Sequence, residues 1–358
     1  MNRLKATILF LAFSAAFTAC KKNSDAIIIV PASDGSKLQL NGLVASESGS
    51  SAGNSVYVDL SMDKATAVQR SSWDLGFYSG SDFRVIINNT TTAAAKMIAK
   101  NDLTQVVAAD TAGFAAQMSG LTYSASDFAF LDNVLGDLSK TVIAGISATD
   151  ADNKVYIINR GTGGSIAARD WYKIRILRKG AGYMLQYAKL SETNFKTLDI
   201  TKNGDYNFQY ASFDNGTVAV EPAKAQWDFV WSYRLYQTPL NPADATSLVP
   251  YAVADFVCIN EKAGVQAAQV LTTAVAYADF DQTKIASVTF SSSVDVIGTG
   301  WRTASASPSV KSGVKTDRFY VLKDAAGNIY KLRFLSFHAD DGGTRGKPEF
   351  EYKLVKKG

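Results

Sequence analysis

Histidine is nearly missing from this sequence: His338 is the single one in 358 residues. Its solitude excludes every site that takes two imidazoles from one chain, including His-rich zinc centres and bis-histidine haem ligation. Cysteine is almost as scarce, with Cys20 and Cys258 alone, so at most one disulfide can form and the chain is no disulfide-stapled scaffold. Charge of one sign is lacking too, since 37 Lys+Arg stand against 33 Asp+Glu, a formal net charge of +4. No basic stripe is available to neutralise phosphates, and nucleic acid is excluded as a partner. What is present is apolar: 47% of residues are hydrophobic and 11% aromatic, enough to bury a core and exclude disorder. The length suits one large domain or two ordinary ones.

The N-terminus reads as an address. A basic start, Met1-Asn2-Arg3-Leu4-Lys5, precedes an apolar run from Ala6 to Phe17 that is too short to cross a bilayer, which takes about 20 helical residues. The run ends in Phe17-Thr18-Ala19-Cys20, similar to a bacterial lipobox, in which the cysteine is lipidated and becomes the first mature residue. Residues 1–19 are therefore expected as a lipoprotein signal peptide and 20–54 as lipid anchor and tether, rich in Ser, Gly, Asn and Asp. Loss of Arg3 and Lys5 takes the formal +4 to +2. Cys258 is then the sole side-chain thiol. In the strand-like run Ala254–Asn260 it is expected to be a small buried hydrophobe.

From Val56 onward, short alternating apolar runs are separated by Gly, Asn, Asp and Ser. Val56–Leu60, Phe83–Ile87, Lys154–Ile158 and Tyr206–Tyr210 carry the β-branched and aromatic enrichment of strands. Three segments read as helices: Thr92–Lys100, Thr111–Met118 and Ala263–Thr272. The expected fold is mostly β (all-β, or α+β with a few short helices).

The chain also repeats itself. Trp73-Asp74-Leu75-Gly76-Phe77 recurs as Trp227-Asp228-Phe229-Val230-Trp231, 154 positions later. Asp82-Phe83 running to Asn88 matches Asp255-Phe256 running to Asn260, and Ala112–Gln117 resembles Ala263–Gln269. Tyr172-Lys173-Ile174-Arg175-Ile176-Leu177 returns as Tyr330-Lys331-Leu332-Arg333-Phe334-Leu335, at an offset of 158. Propellers built on Trp-Asp repeat every ~40–45 residues and are excluded. Two related β-rich halves are expected, 55–220 and 221–358, each closed by a hairpin. Tyr330, Leu332 and Phe334 should face a core, with Lys331 and Arg333 on a partly solvated side.

Taken in order behind a lipobox, Ser72–Gly80 with Phe83–Asn88, then Ala254–Asn260, then Asp317–Asp324 with Gly327–Leu335, resemble the HmuY family, haem-binding lipoproteins of Bacteroidetes. The resemblance implies a mostly β, non-enzymatic protein. It would sit anchored in the outer membrane, bind haem or another tetrapyrrole, and pass it to a TonB-dependent receptor. The family's best-known member ligates iron with two histidines, which this chain does not have; some relatives use methionines. A thioether is a workable axial ligand. The resemblance therefore makes Met97, Met118 and His338 the ligand candidates, while Met184 alternates with Tyr183 and Leu185 as a core residue would. The alternative is a structural or interaction lipoprotein that keeps the scaffold without binding haem.

Other motifs carry less. Gly161-Thr162-Gly163-Gly164-Ser165 lies between strand-like runs, so a hairpin loop is expected and not a phosphate cradle, which would open onto a helix. Ser61-Met62-Asp63-Lys64 and Ser312-Gly313-Val314-Lys315 match Ser-x-x-Lys without its companion motifs. Asp340-Asp341 and Asp150-Ala151-Asp152-Asn153 lack full calcium-loop spacing and read as solvated turns. Asp74 and Asp228 are expected to cap turns while the tryptophans before them fill core.

Overall fold

A computed structural model describes residues 31–114, 124–305, 307 and 309–358. Among them the chain is mostly β, and every helical segment with described bounds is a short 3-10 turn. Residues 32–358 form one compact unit. The strands assemble into two five-stranded and two four-stranded antiparallel sheets, with a small two-stranded pair beside them.

Sheet A runs Gly35–Gln39, Glu349–Lys356, Ile329–Ser336, Arg318–Lys323, Gln266–Leu271. Sheet B runs Lys196–Ile200, Gly182–Lys189, Tyr172–Lys179, Val155–Asn159, Ala94–Ile98. Sheet C is Gly216–Val218, Phe208–Ser212, Leu75–Tyr78, Val85–Ile87, and sheet D is Lys64–Gln69, Asn54–Asp59, Phe229–Pro239, Leu248–Ile259. A matches B and C matches D, strand for strand. In chain order the same series of strands therefore occurs twice, first over 35–189 and again over 196–356.

The repeats are not side by side. The first three strands of each one are built into the sheets of the other. Asn54–Asp59, from the first repeat, pairs with Phe229–Pro239 of the second, with Val58 opposite Phe229. Reciprocally, Phe208–Ser212 pairs with Leu75–Tyr78, with Phe208 opposite Tyr78. The leading edge strands follow suit: Gly35–Gln39 lies on Glu349–Lys356, and Lys196–Ile200 on Gly182–Lys189.

The Trp-Asp and Asn motifs lock this exchange. Asp74 Oδ2 accepts the Phe213 N–H at 2.8 Å, and Asp228 Oδ2 accepts the Leu60 N–H at 2.7 Å, each amide belonging to the end of an exchanged strand. Asn88 Nδ2 donates to the carbonyls of Arg70 (2.7 Å) and Trp73 (2.8 Å). Asn260 Nδ2 donates to those of Lys224 and Trp227, both at 2.9 Å. After each Asn comes a 3-10 turn, Asn89–Thr91 or Glu261–Ala263, closed by a left-handed residue, Thr92 (φ 58°) or Gly264 (φ 87°). Gly264 thus has Thr92 as its counterpart, and not Gly113 as the composition of Ala112–Gln117 implies. The aspartates differ in charge balance. Asp74 is paired with Arg160 at 2.7 Å. The corresponding place after Arg318–Lys323 holds Asp324, and among the described residues no cation pairs with Asp228. Burial first, then Asp59 and Asp324, push the Asp228 carboxyl well above its ordinary range.

Two cores result. One joins A and D around Val58, Phe229, Trp231, Tyr330, Leu332 and Phe350. The other joins B and C around Leu75, Phe77, Tyr156, Ile174, Leu185 and Phe213. Tyr330, Leu332 and Phe334 do face the core, but Lys331 is buried as well, because the 277–280 segment crosses that face and its carbonyls take the ammonium.

Two helical expectations are overturned. Residues Ala94–Ile98 and Gln266–Leu271 are edge strands. Their alanines, 94, 95, 267 and 268, are buried where neighbouring segments need small side chains, so packing overrides helix propensity. The third, Thr111–Met118, lies largely outside the described residues. Replacing Asn260 with Ala should leave two buried carbonyls unpaired and cost about 2–4 kcal/mol in urea unfolding. Asn88→Ala should cost the same; a loss under about 0.5 kcal/mol in either would show that these bonds do not lock the exchange.

Candidate functional site

Sheets C and D meet through an aromatic cluster to which both repeats contribute equally. Tyr57 stands edge-on to Trp227 at 5.1 Å, and its counterpart Tyr210 edge-on to Trp73 at 4.9 Å. Beside them opens a cleft of about 170 Å³, whose walls include those four rings, Phe208, Asp132, Glu221, Arg234 and Cys258. Two carboxyls there lie in low-dielectric surroundings and form no ion pair among the described residues. Glu221 accepts the Phe208 N–H at 2.7 Å and the Tyr210 hydroxyl at 3.3 Å, yet burial pushes it up to about 7. Asp132 accepts the Ile87 and Val142 N–H groups at 2.8 and 2.9 Å and is likewise raised by burial to about 7. Cys258 is buried as expected, but it is also bonded: Arg234 directs a guanidinium N–H at its Sγ and another at the Val134 carbonyl, 2.8 Å away. Burial raises the thiol pKa against the pull of that arginine.

A second cleft, of about 540 Å³, lies where the long hairpin Phe229–Pro239/Leu248–Ile259 leaves sheet D. Tyr233, Tyr236 and Tyr251 line it together with Arg302 and Arg345. Beneath it sits Asp255 at a bulge, where Ala254 and Asp255 oppose the single Tyr233. Asp255 is 1% exposed and holds a left-handed backbone, φ 57°, a conformation that costs a non-glycine residue roughly 1–3 kcal/mol. Arg345 donates to its Oδ2 at 3.0 Å, and Arg302 Nε is 3.5 Å from the same oxygen.

Of the ligand candidates, Met97 is on edge strand Ala94–Ile98 with its side chain 56% exposed, at a hollow of about 80 Å³ floored by Ile143, Ile146, Tyr156 and Ile176. His338 caps the 3-10 turn Ala339–Asp341 beyond sheet A. Its Nδ1 is 3.2 Å from Asp340 N and 3.3 Å from Asp340 Oδ2. If Nδ1 accepts from the amide, the neutral ring carries its proton on Nε2; if it donates to the carboxylate, Nε2 has a free lone pair. Met97 and His338 share no cleft among the described residues. Met118 and Cys20 lie outside those residues.

The remaining motifs are structural. Gly161–Ser165 links two neighbouring antiparallel strands, as a hairpin loop does. It turns carbonyls, not amides, to the buried Arg70, with Gly163 O at 3.1 Å and Gly164 O at 3.3 Å. Asp341 accepts the Val314 and His338 N–H groups, so that turn is tied in place. Among the described residues no group of three or more His, Cys, Asp or Glu side chains is placed to hold a metal. Asp132, Glu221, Arg302 and Arg345 belong to no motif legible in the sequence, because their partners lie 10 to 90 residues away in other elements. Asp255 was visible only as one half of the Asp-Phe match.

Doubled antiparallel sheets with clefts between and beside them define a β-rich binding scaffold. The HmuY protein family model matches residues 51–352, so the chain belongs to the HmuY family, a haem-binding rather than a catalytic family. Among solved structures it is similar to apo PinO from Porphyromonas gingivitis, at 16% identity over 46% of this chain and 87% of that one, with a TM-score of 0.16. No curated protein matches.

The buried carboxyls make stability pH-dependent. With its folded pKa raised from 4.5 to about 7, Glu221 keeps a proton that the unfolded chain releases. Its contribution is full below 4.5 and is lost as pH rises to about 7, a change of about 3 kcal/mol. Glu221→Gln should flatten that fall in denaturant titrations; an unchanged slope would place the titration elsewhere.

Proposed function

We propose that this protein is an outer-membrane lipoprotein, anchored through Cys20, that binds haem and hands it to a TonB-dependent receptor. Family membership over residues 51–352 supports the ligand class. The observation that carries it at the level of residues is Met97. A methionine that fills a core gap is buried, and this one stands 56% exposed above an apolar hollow, with Lys154 on its rim. These groups suit haem in kind: a thioether would hold the iron, isoleucines the apolar macrocycle, and an ammonium a carboxylate arm. Met97 and Met118 would hold the iron of haem bound there, whereas His338, which shares no cleft with Met97 among the described residues, would hold it only at a separate place. His338 qualifies only in the tautomer that donates Nδ1–H to Asp340.

Titrating the mature protein with haem tests this. A shifted Soret band is expected, weakened or moved in Met97→Ala. No shift in either redox state sinks the ligand, and identical spectra in Met97→Ala, Met118→Ala and His338→Ala remove all three candidates. Cys20→Ala should move the protein from the membrane to the soluble fraction; retention in the membrane would refute the anchor. One observation favours the alternative, an interaction lipoprotein that does not bind haem: the Met97 hollow is about 80 Å³ and shares no described wall with His338. The same titration separates the two readings.

A further inference from the structure

The second repeat has something that the first lacks. Its hairpin strands Phe229–Pro239 and Leu248–Ile259 have 11 and 12 residues, against 4 and 3 in Leu75–Tyr78 and Val85–Ile87. The added length walls the 540 Å³ cleft, a volume in the range that takes a drug-sized ligand. We propose that this cleft binds an acidic saccharide, a pyranose unit carrying a carboxylate.

Three features of the wall select that chemistry. First comes charge. Arg302 and Arg345 converge on the single Asp255 carboxylate, so the cluster keeps one positive charge in excess. The Arg302 side chain is only 9% exposed, with its Nε turned toward Asp255 and another guanidinium N–H donated to the Ala254 carbonyl, while the Arg345 side chain is 30% exposed. Both guanidiniums line the open cleft, and arginine recognises a ligand carboxylate by donating paired N–H groups to it. Asp255 holds both arginines, and its strained backbone sets that carboxylate at the base of the arm.

The second feature is aromatic. Tyr233 is backed by the Arg70 guanidinium at 4.8 Å, and Tyr236 by Phe256 at 4.8 Å, so both rings are fixed before any ligand arrives. Rigid rings offer flat surfaces to the C–H face of a sugar at little entropic cost. The third feature is the polar remainder. Gln237, Thr238, Thr299 and Ser305 add amide and hydroxyl groups of both hydrogen-bonding senses, matched to ring hydroxyls and ill-suited to an apolar macrocycle. Asp295 is not on the cleft wall, and its carboxylate accepts the Tyr236 hydroxyl at 2.5 Å.

Calorimetric titration of the mature protein tests the proposal with glucuronic acid and N-acetylneuraminic acid, their neutral counterparts glucose and N-acetylglucosamine, benzoate, and inorganic phosphate. At least one acidic sugar should bind about ten-fold more tightly than its neutral counterpart and than either simple anion. Arg345→Gln and Tyr251→Ala, both at partly exposed side chains, should each weaken it by about ten-fold, and Tyr251→Ala should melt with the parent. Failure of both acidic sugars, equal binding of the neutral ones, or equal binding of benzoate or phosphate overturns the proposal. So does undiminished binding in both variants.

Discussion

The pairing of each repeat's leading strands with the other repeat's sheets is the constraint on which everything else depends. A buried aspartate that accepts one backbone amide across the seam, and an asparagine that spans two carbonyls beside it, occur once in each repeat. Neither core is complete without strands from the other repeat, since Val58 packs with Phe229 and Phe213 with Leu75. Loss of one lock therefore loosens a core that both repeats build.

From that exchange follows the position of the seam cleft. The aromatic seam arises because the exchanged strands carry Tyr57 and Tyr210 onto Trp227 and Trp73. Buried carboxyls are tolerated there because they are bonded to backbone amides, although burial keeps them protonated to near neutral pH. Away from the seam the repeats diverge: the first presents Met97 on its edge strand, and the second extends a hairpin over an arginine pair. Near-identical scaffolds thus present different groups, in the first repeat on a shared edge strand and in the second on a lengthened hairpin.

Much of the architecture was legible in the residues. The Trp-Asp pairs, the Asp-Phe-to-Asn stretches and the Tyr-Lys-x-Arg strands announced both β structure and duplication, because alternation and turn formers are local signals. Less was legible where a local signal conflicts with packing. The alanine-rich edge strands read as helices, since the segments that require small side chains at Ala95 and Ala267 come from elsewhere in the chain. Lys331 read as partly solvated because its carbonyl partners lie some fifty residues away.

By itself, then, the sequence determined the strand pattern, the repeat, the family and the exclusion of a two-histidine haem site, all of which rest on neighbours in the chain or on composition. Only the tertiary structure decided which strands pair across the repeats, that Met97 is exposed while Asp255 is buried and strained, and which side chains share a cleft. The reason is physical. A cavity and a perturbed carboxyl are made by groups brought together from distant positions, and no local pattern of residues encodes that distance.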